Sequence, residues 1–189
     1  HFVQVERLDE HIGGAEPHIP GVLQSLLRRE FIFRRDHSKF AGTEEYIFKH
    51  SILRDVTYET ILLKMRRGYH RQAAQWLETH SGRRLNEYAG VIADHYERAG
   101  ETAQAMEWLI RAGEAAAQTN AYREAISYLE RAGQLVERPH SPQNIRRLVR
   151  LGKCYERNSD YDLARERLIL GLDIARAINW SFILHVFLA

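Results

Sequence analysis

This chain has few means of cross-linking itself and none of crossing a membrane. Its one cysteine, Cys154, stands alone among 189 residues, so an internal disulfide is excluded and a reducing compartment, the cytoplasm by default, suits it. No uninterrupted apolar run is long enough to span a bilayer and no charged-then-apolar leader opens the chain, which sets the membrane aside as a partner. A charge excess is missing too. The net charge is +2, with 12 basic and 11 acidic side chains in residues 1–80 and 15 and 14 in residues 81–189, so neither half is a basic nucleic-acid surface as a whole. Ten histidines occur, yet no His-Glu-x-x-His pair does. Asp94-His95-Tyr96-Glu97 puts neighbours on different helix faces and reads as solvated surface, so no metal site is expected. Cys154 has no base at a diagnostic spacing and reads as packing. The phosphate-cradling loop ending in Gly-Lys-Ser or Gly-Lys-Thr is absent, and Gly13-Gly14 is only a loop signal. Nothing here predicts catalysis or a bound cofactor within these residues.

What is present is a helical pattern printed twice and, less completely, a third time. In residues 145–178, Leu148, Leu151, Gly152, Tyr155, Tyr161, Ala164, Leu168 and Gly171 alternate large and small side chains along two helical stripes. In residues 106–139, Leu109, Ala112, Gly113, Tyr122, Ala125, Leu129 and Ala132 take the same offsets, with Ala116 standing where the other copy has Tyr155. Residues 86–119 repeat it with Ile92, Ala93, Tyr96, Gly100, Ala105, Leu109 and Ala112. That third copy overlaps the next, so a helix from about Thr102 to Gln118 must close one hairpin and open another. Small residues at fixed offsets let antiparallel helices approach closely while the large ones fill the space beside them. The pattern resembles the tetratricopeptide repeat, whose unit is 34 residues long and whose solenoids bind protein segments. Arg138-Pro139-His140-Ser141-Pro142 should lengthen the loop between the later copies.

The first eighty residues read differently. Pro20 can open a helix in which Val22, Leu23, Leu26 and Leu27 recur at helical spacing. Phe31–Arg35 and Glu45–Lys49 are β-rich and flank a polar turn with Ser38, Gly42 and Thr43, which predicts a hairpin. A helix with Ile52, Leu53, Val56 and Ile61 on its apolar side follows, then one carrying His70, Ala73, Ala74 and Leu77. Helices around a two-stranded wing point to a winged helix. The expectation is therefore a mainly α chain, with a winged-helix-like domain with one β-hairpin and trailing helices over 1–80. A tetratricopeptide-like α-α superhelix, a right-handed stack, should follow over 81–189.

The run from Tyr46 through Phe48-Lys49-His50-Ser51-Ile52-Leu53-Arg54-Asp55 to Glu59, continued from Arg66 to Glu78, resembles the segment after the ATPase core of bacterial STAND-type signalling ATPases. These include ATPase-linked adenylate or guanylate cyclases and large LuxR-like transcriptional regulators. The resemblance covers about Val22 to Leu135 and implies a nucleotide-binding module elsewhere, then a winged helix, then tetratricopeptide-like repeats. It implies ATP or ADP as ligand of the parent protein and none held by these residues alone. Phe48–Asp55 is similar to the family's Met-His-Asp motif, whose histidine touches the β-phosphate of ADP, and His50 matches that histidine. Lys49 stands in place of the methionine and Ser51 in place of the aspartate, although Ser51 can cap a helix. The competing reading makes His50 a junction side chain bonded to nearby backbone.

Partners follow from these readings. The repeat positions Ala93, Tyr96, Ala105, Gly113, Ala125, Ala132, Gly152, Tyr155, Ala164 and Gly171 should build a surface for a protein partner or another domain of the same chain. The alternative is a DNA-binding regulator, with Gln24, Ser25, Arg28 and Arg29 at bases and Arg34, Arg35 and Lys39 at phosphates. Glu30, Asp36, Glu44 and Glu45 dilute that cluster, and Arg66, Arg67 and Arg71 read as solvated charge. The chain begins at His1-Phe2 and ends in an apolar stretch with Trp180, Phe182, Ile183, Phe187 and Leu188. The expectation is a piece of a longer protein, with that last helix a candidate homodimer contact.

Overall fold

The computed structural model describes residues 3–5, 19–40 and 42–188, with side chains described over 20–40 and 42–179. The chain is mainly helical and falls into two compact units, His1–Arg66 and Arg67–Ala189. The sequence reading grouped the helix around His70 with the first domain; the structure groups most of it with the helices that follow.

In the first unit, strand β1 (Val3–Val5), helix α1 (Ile19–Arg28), strands β2 (Ile32–Arg34) and β3 (Glu44–Phe48) and helix α2 (Ser51–Thr60) follow one another. The expected hairpin is β2–β3, antiparallel, with Ile32 opposite Phe48 and Arg34 opposite Tyr46. β1 adds a third antiparallel strand, which the sequence reading did not foresee, with Val3 opposite Tyr46, so β3 is central. Strand alternation sends Ile32 and Tyr46 inward, where Phe40 from the turn joins them. The turn is tied by Ser38 Oγ to Thr43 Oγ1 at 2.8 Å, and Gly42 takes φ +77°, a left-handed conformation glycine adopts without a Cβ clash.

α2 departs from its expected role. Its apolar stripe does not enter a core, for Ile52 is 76% and Val56 57% exposed, no residue of the helix is buried, and Ile61 lies just past its end. A short amphipathic helix signals which face could be covered, and not what covers it. Arg66 closes the helix: its guanidinium donates to the carbonyls of Ile61 (2.7 Å) and Glu59 (2.8 Å) and lies over the Tyr58 ring. It is therefore a C-terminal cap rather than the solvated charge expected.

Helix α3 (Leu63–His80), whose residues from Arg67 on belong to the second unit, is followed by a 3-10 turn (Gly82–Arg84), α4 (Ala89–Ala99), α5 (Thr102–Gln118), α6 (Tyr122–Gln134), α7 (Pro142–Arg157) and α8 (Tyr161–Leu188). α5 packs against both α4 and α6, as the overlapping pattern required. The three turns are geometric copies. Gly100, Asn120 and Ser159 all take positive φ, at 78°, 61° and 69°. The next residue's N–H returns to the carbonyl five residues back in every case: Glu101 to Tyr96 (2.9 Å), Ala121 to Ala116 (3.0 Å) and Asp160 to Tyr155 (2.9 Å). This double-back satisfies the orphan carbonyls of the first helix and fixes where the second begins.

Above each turn the helices meet at small residues. A Cβ on Gly113 would lie 2.7 Å from Leu129 Cγ and 3.2 Å from the Ala125 carbonyl oxygen; on Gly152 it would lie 2.6 Å from Leu168 Cγ and 3.2 Å from that of Ala164. Gly113 thus meets Ala125 and Gly152 meets Ala164, as the spacing predicts, and Ala93 with Ala105 takes the same offsets in the α4–α5 hairpin, both fully buried. Ile92, Leu109, Ile110, Leu129, Leu148 and Leu151 fill the spaces left between them. Tyr96 and Tyr155 are buried as expected, their hydroxyls donating to Glu78 and Glu130. Tyr161 is not: it opens α8 and is 67% exposed. Tyr122, also expected in the core or between helices, is half-buried, with its hydroxyl on Asn120.

The proline-flanked segment is the lengthened loop expected between α6 and α7. Ser141 Oγ accepts from the Asn144 N–H and Pro142 takes the first helical turn. Buried Arg147 then spans the junction, donating to the Leu129 carbonyl (3.2 Å) and to Asn144 (3.0 Å). Gly133 makes room, since a Cβ there would come within 2.7 Å of the guanidinium. α8 extends to Leu188, but the side chains of Trp180, Phe182, Ile183, Phe187 and Leu188, and the loop signal Gly13-Gly14, lie outside the described residues.

The two glycine contacts should respond unequally to a methyl group. Leu129 is wholly buried and cannot yield, whereas Leu168 is 38% exposed and can swing outward. Gly113→Ala should cost about 1–3 kcal/mol after overpacking is set against the gain in helix propensity. Gly152→Ala should cost clearly less. Urea unfolding of both variants measures the order, and equal losses would show that the Leu129 contact is looser than described.

Candidate functional site

In the first unit the candidate residue is His50. It stands between β3 and α2 and occupies the helix-cap position itself, with extended backbone at φ −124° and ψ 129°; Ser51 begins the helix instead of capping it. The His50 ring is exposed and makes no capping hydrogen bond. The structure therefore lacks the backbone-bonded arrangement of the competing reading and leaves the imidazole open beside the free amides of a ten-residue helix.

Two of the three wing cations proposed for DNA phosphates are engaged with acids: Arg34 pairs with Glu44 at 2.9 Å and Arg35 with buried Glu45 at 3.2 Å. Lys49, at the end of the hairpin and not among those candidates, pairs with Glu30. Arg28 and Arg29 remain exposed at the end of α1. Among the described residues no group of three or more histidine, cysteine or acidic side chains could hold a metal ion. Cys154 is buried in α7, and burial pushes its thiol up, away from the nucleophilic thiolate.

In the second unit eight of the ten named repeat positions are those described above; of the other two, Ala132 is fully buried and Gly171 lies against Leu148 and Val149. A set of paired charges lies along one face of α5 and α7 and was not singled out from sequence. Arg146, Arg150, Lys153 and Arg157 recur at helical spacing on α7, while Glu107 and Glu114 recur on α5. Arg146 grips Glu114 with two bonds of 3.0 and 2.6 Å and reaches Glu107 at 2.9 Å, and Arg150 adds a bond of 2.9 Å to Glu114. Burial pushes the Glu114 carboxyl up, but hydrogen bonds and charge from Arg146 and Arg150 outweigh it and hold the group below the usual carboxylate range. Exposed pairs of this kind contribute about 0.2–1 kcal/mol each, so they add little to stability. Past Glu114 the ladder opens into a cleft of about 170 Å³ lined by Ala117, Tyr122, Arg150, Lys153 and Arg157. The basic stripe was legible as a charge pattern; its acidic complement, 32–39 positions away, was not.

A second grouping corrects the surface reading of residues 94–97: Tyr96 is buried and His95 and Glu97 are half-buried, while the Asp94 side chain stays half exposed. His95 Nδ1 faces His70 Nδ1 at 2.9 Å, so one ring must donate and the other accept. Arg71, also read as solvated, pairs with Glu101. Asp94 and Glu97 take Arg131 from α6. Burial, then the facing His70, then Arg98, lower His95 to about 4, against an opposing pull from Asp94; burial and Arg98 lower His70 as well.

No family model matches the chain. A stretch of 100 residues, 51% of this chain, is 31% identical to an uncharacterized protein of Rhizobium meliloti (strain 1021). It covers 10% of that protein, so the chain corresponds to about a tenth of its length.

The histidine pair gives a pH dependence with a definite sign. Its depressed folded pKa means that the unfolded chain takes up the proton first as pH falls through about 6.5, and the folded chain only near 4. Stability should hold above that window and decline within it, by on the order of 2 kcal/mol once partial exposure is discounted. His95→Asn should flatten the decline in melting temperature between those pH values, and an unchanged slope would assign it to other groups.

Proposed function

We propose that this chain is a non-catalytic regulatory and protein-interaction region of a multidomain STAND-type signalling ATPase, acting in the cytoplasm. In this reading the first unit is a winged helix that reports nucleotide state. The second is a tetratricopeptide-like right-handed superhelix that binds a protein partner or another part of the same chain. The observation that carries the reading is the hairpin geometry, three turns of one form and two small-residue contacts at common offsets, because such geometry stacks helices into an extended surface. The open imidazole of His50 at the start of α2 supports a phosphate-sensing role, since a histidine beside free helix amides can donate to a phosphate oxygen. ATP and ADP are then ligands of the parent protein, with the nucleotide module supplied outside these residues. The DNA-binding reading gains less support, because two of its three wing cations, Arg34 and Arg35, are matched by Glu44 and Glu45.

The parent protein provides the test. His50→Ala should weaken ADP by about ten- to a hundredfold, the value of one hydrogen bond to a charged group, and shift the population toward the active form. The melting temperature of the 189-residue chain should stay unchanged. A lower melting temperature with unaltered ADP affinity would make His50 a structural residue and remove the nucleotide-sensing part of the proposal.

A further inference from the structure

We infer that the cleft at the end of the α5–α7 ladder binds an acidic segment of a protein partner, whose carboxylates are taken by Lys153 and Arg157. This rests on the reading of the helical unit as a protein-interaction surface and names the chemistry of its partner.

The inference comes from a mismatch between two stripes. On α7 the cations run on for two further turns, from Arg146 and Arg150 to Lys153 and Arg157. On α5 the acids stop: after Glu114 come Ala115, Ala116, Ala117 and Gln118. Where the acids are present they bind the α7 cations through forked, charge-assisted bonds. Where they are absent, the structure has a cleft, with Lys153 and Arg157 exposed on its wall and engaged in no ion pair among the described residues. The cleft's single carboxylate, Glu114, is already held by Arg146 and Arg150, so it offers an incoming acid little repulsion. Ala117 and the Tyr122 ring wall the site with apolar surface, which reduces solvent screening and strengthens a charge pair formed there. A carboxylate from outside would occupy the place that an acid at position 117 would fill, extending the ladder by one rung. A nucleic-acid strand fits less well, since the adjoining cations are spent on Glu107 and Glu114 and no continuous basic track remains.

The test uses the whole 189-residue chain and fluorescein-labelled hexaglutamate, with hexaglutamine as the uncharged comparison and a DNA duplex as the competing anion. Hexaglutamate should bind in a salt-dependent manner and hexaglutamine should not. Lys153→Glu with Arg157→Glu should weaken binding by about tenfold or more, as expected for two lost charge-assisted contacts. Lys64→Glu, on the other unit, should leave it unchanged. Ala117→Glu supplies the missing rung from within and should weaken binding comparably without lowering the melting temperature, which separates occupancy of the cleft from unfolding. Absence of hexaglutamate binding, affinity indifferent to the Lys153 and Arg157 changes, or duplex binding as tight and as dependent on them would each overturn the inference. If a partner segment still bound the doubly reversed variant as tightly as the parent, the cleft assignment would fail while the interaction reading stood; if no protein segment bound either, both would fail.

Discussion

The structure of the helical unit depends on how closely two antiparallel helices can approach. At Gly113 and Gly152 an added methyl group would strike the facing leucine, and the backbone carbonyl of the facing alanine lies within van der Waals reach. Such contact gains dispersion energy that a wider spacing forfeits, and it leaves one rotational and one axial setting in which the large residues interdigitate. The turns hold the same setting from the other end. Gly100 takes its left-handed conformation freely, while Asn120 and Ser159 take it against a Cβ penalty. That two non-glycine residues are held there shows how strongly the contacts above the turn determine the path of the chain below it.

Electrostatics follow from that spacing. Once the hairpins are set, α5 and α7 lie side by side with Glu107 and Glu114 facing Arg146 and Arg150, and the pairing register is decided by the backbones, not by the charges. Neighbouring arginines meet opposite fates as a result. Arg147 points into the α6–α7 junction and is buried over Gly133, while Arg146 and Arg150 stay on the exposed face. The same register leaves Lys153 and Arg157 beyond the last acid, so the cleft is a consequence of where the acidic stripe ends.

Much of this fold was legible in the sequence because close helix contacts write themselves as small residues at fixed offsets. Gly113 with Ala125, Gly152 with Ala164, the double use of α5 and the β2–β3 hairpin could all be read that way. What was not legible has physical reasons. β1 is three residues long and pairs only through its backbone partners on β3, which leaves almost no pattern. The stripe on α2 announced amphipathicity and nothing about whether a partner covers it. Tyr161 sits at a repeat offset but at the very start of a helix, where the packed face has not yet formed. His95 was misread because its surroundings come from α3, twenty-five positions earlier, and no local spacing reports that meeting. The candidate sites divide in the same manner: His50 is a candidate from its neighbours in the chain, whereas the α5–α7 cleft exists only in the folded register.

The claim that helix approach governs the unit is tested most directly by a double-mutant cycle at Gly113 and Leu129, using Gly113→Ala, Leu129→Ala and the pair in urea unfolding. If the added methyl group is unfavourable because it strikes Leu129, removing that side chain should relieve it, giving a coupling energy of about 1 kcal/mol or more. Additivity within about 0.3–0.5 kcal/mol would mean that the two residues do not press on each other, and the account of the hairpin contact would be wrong.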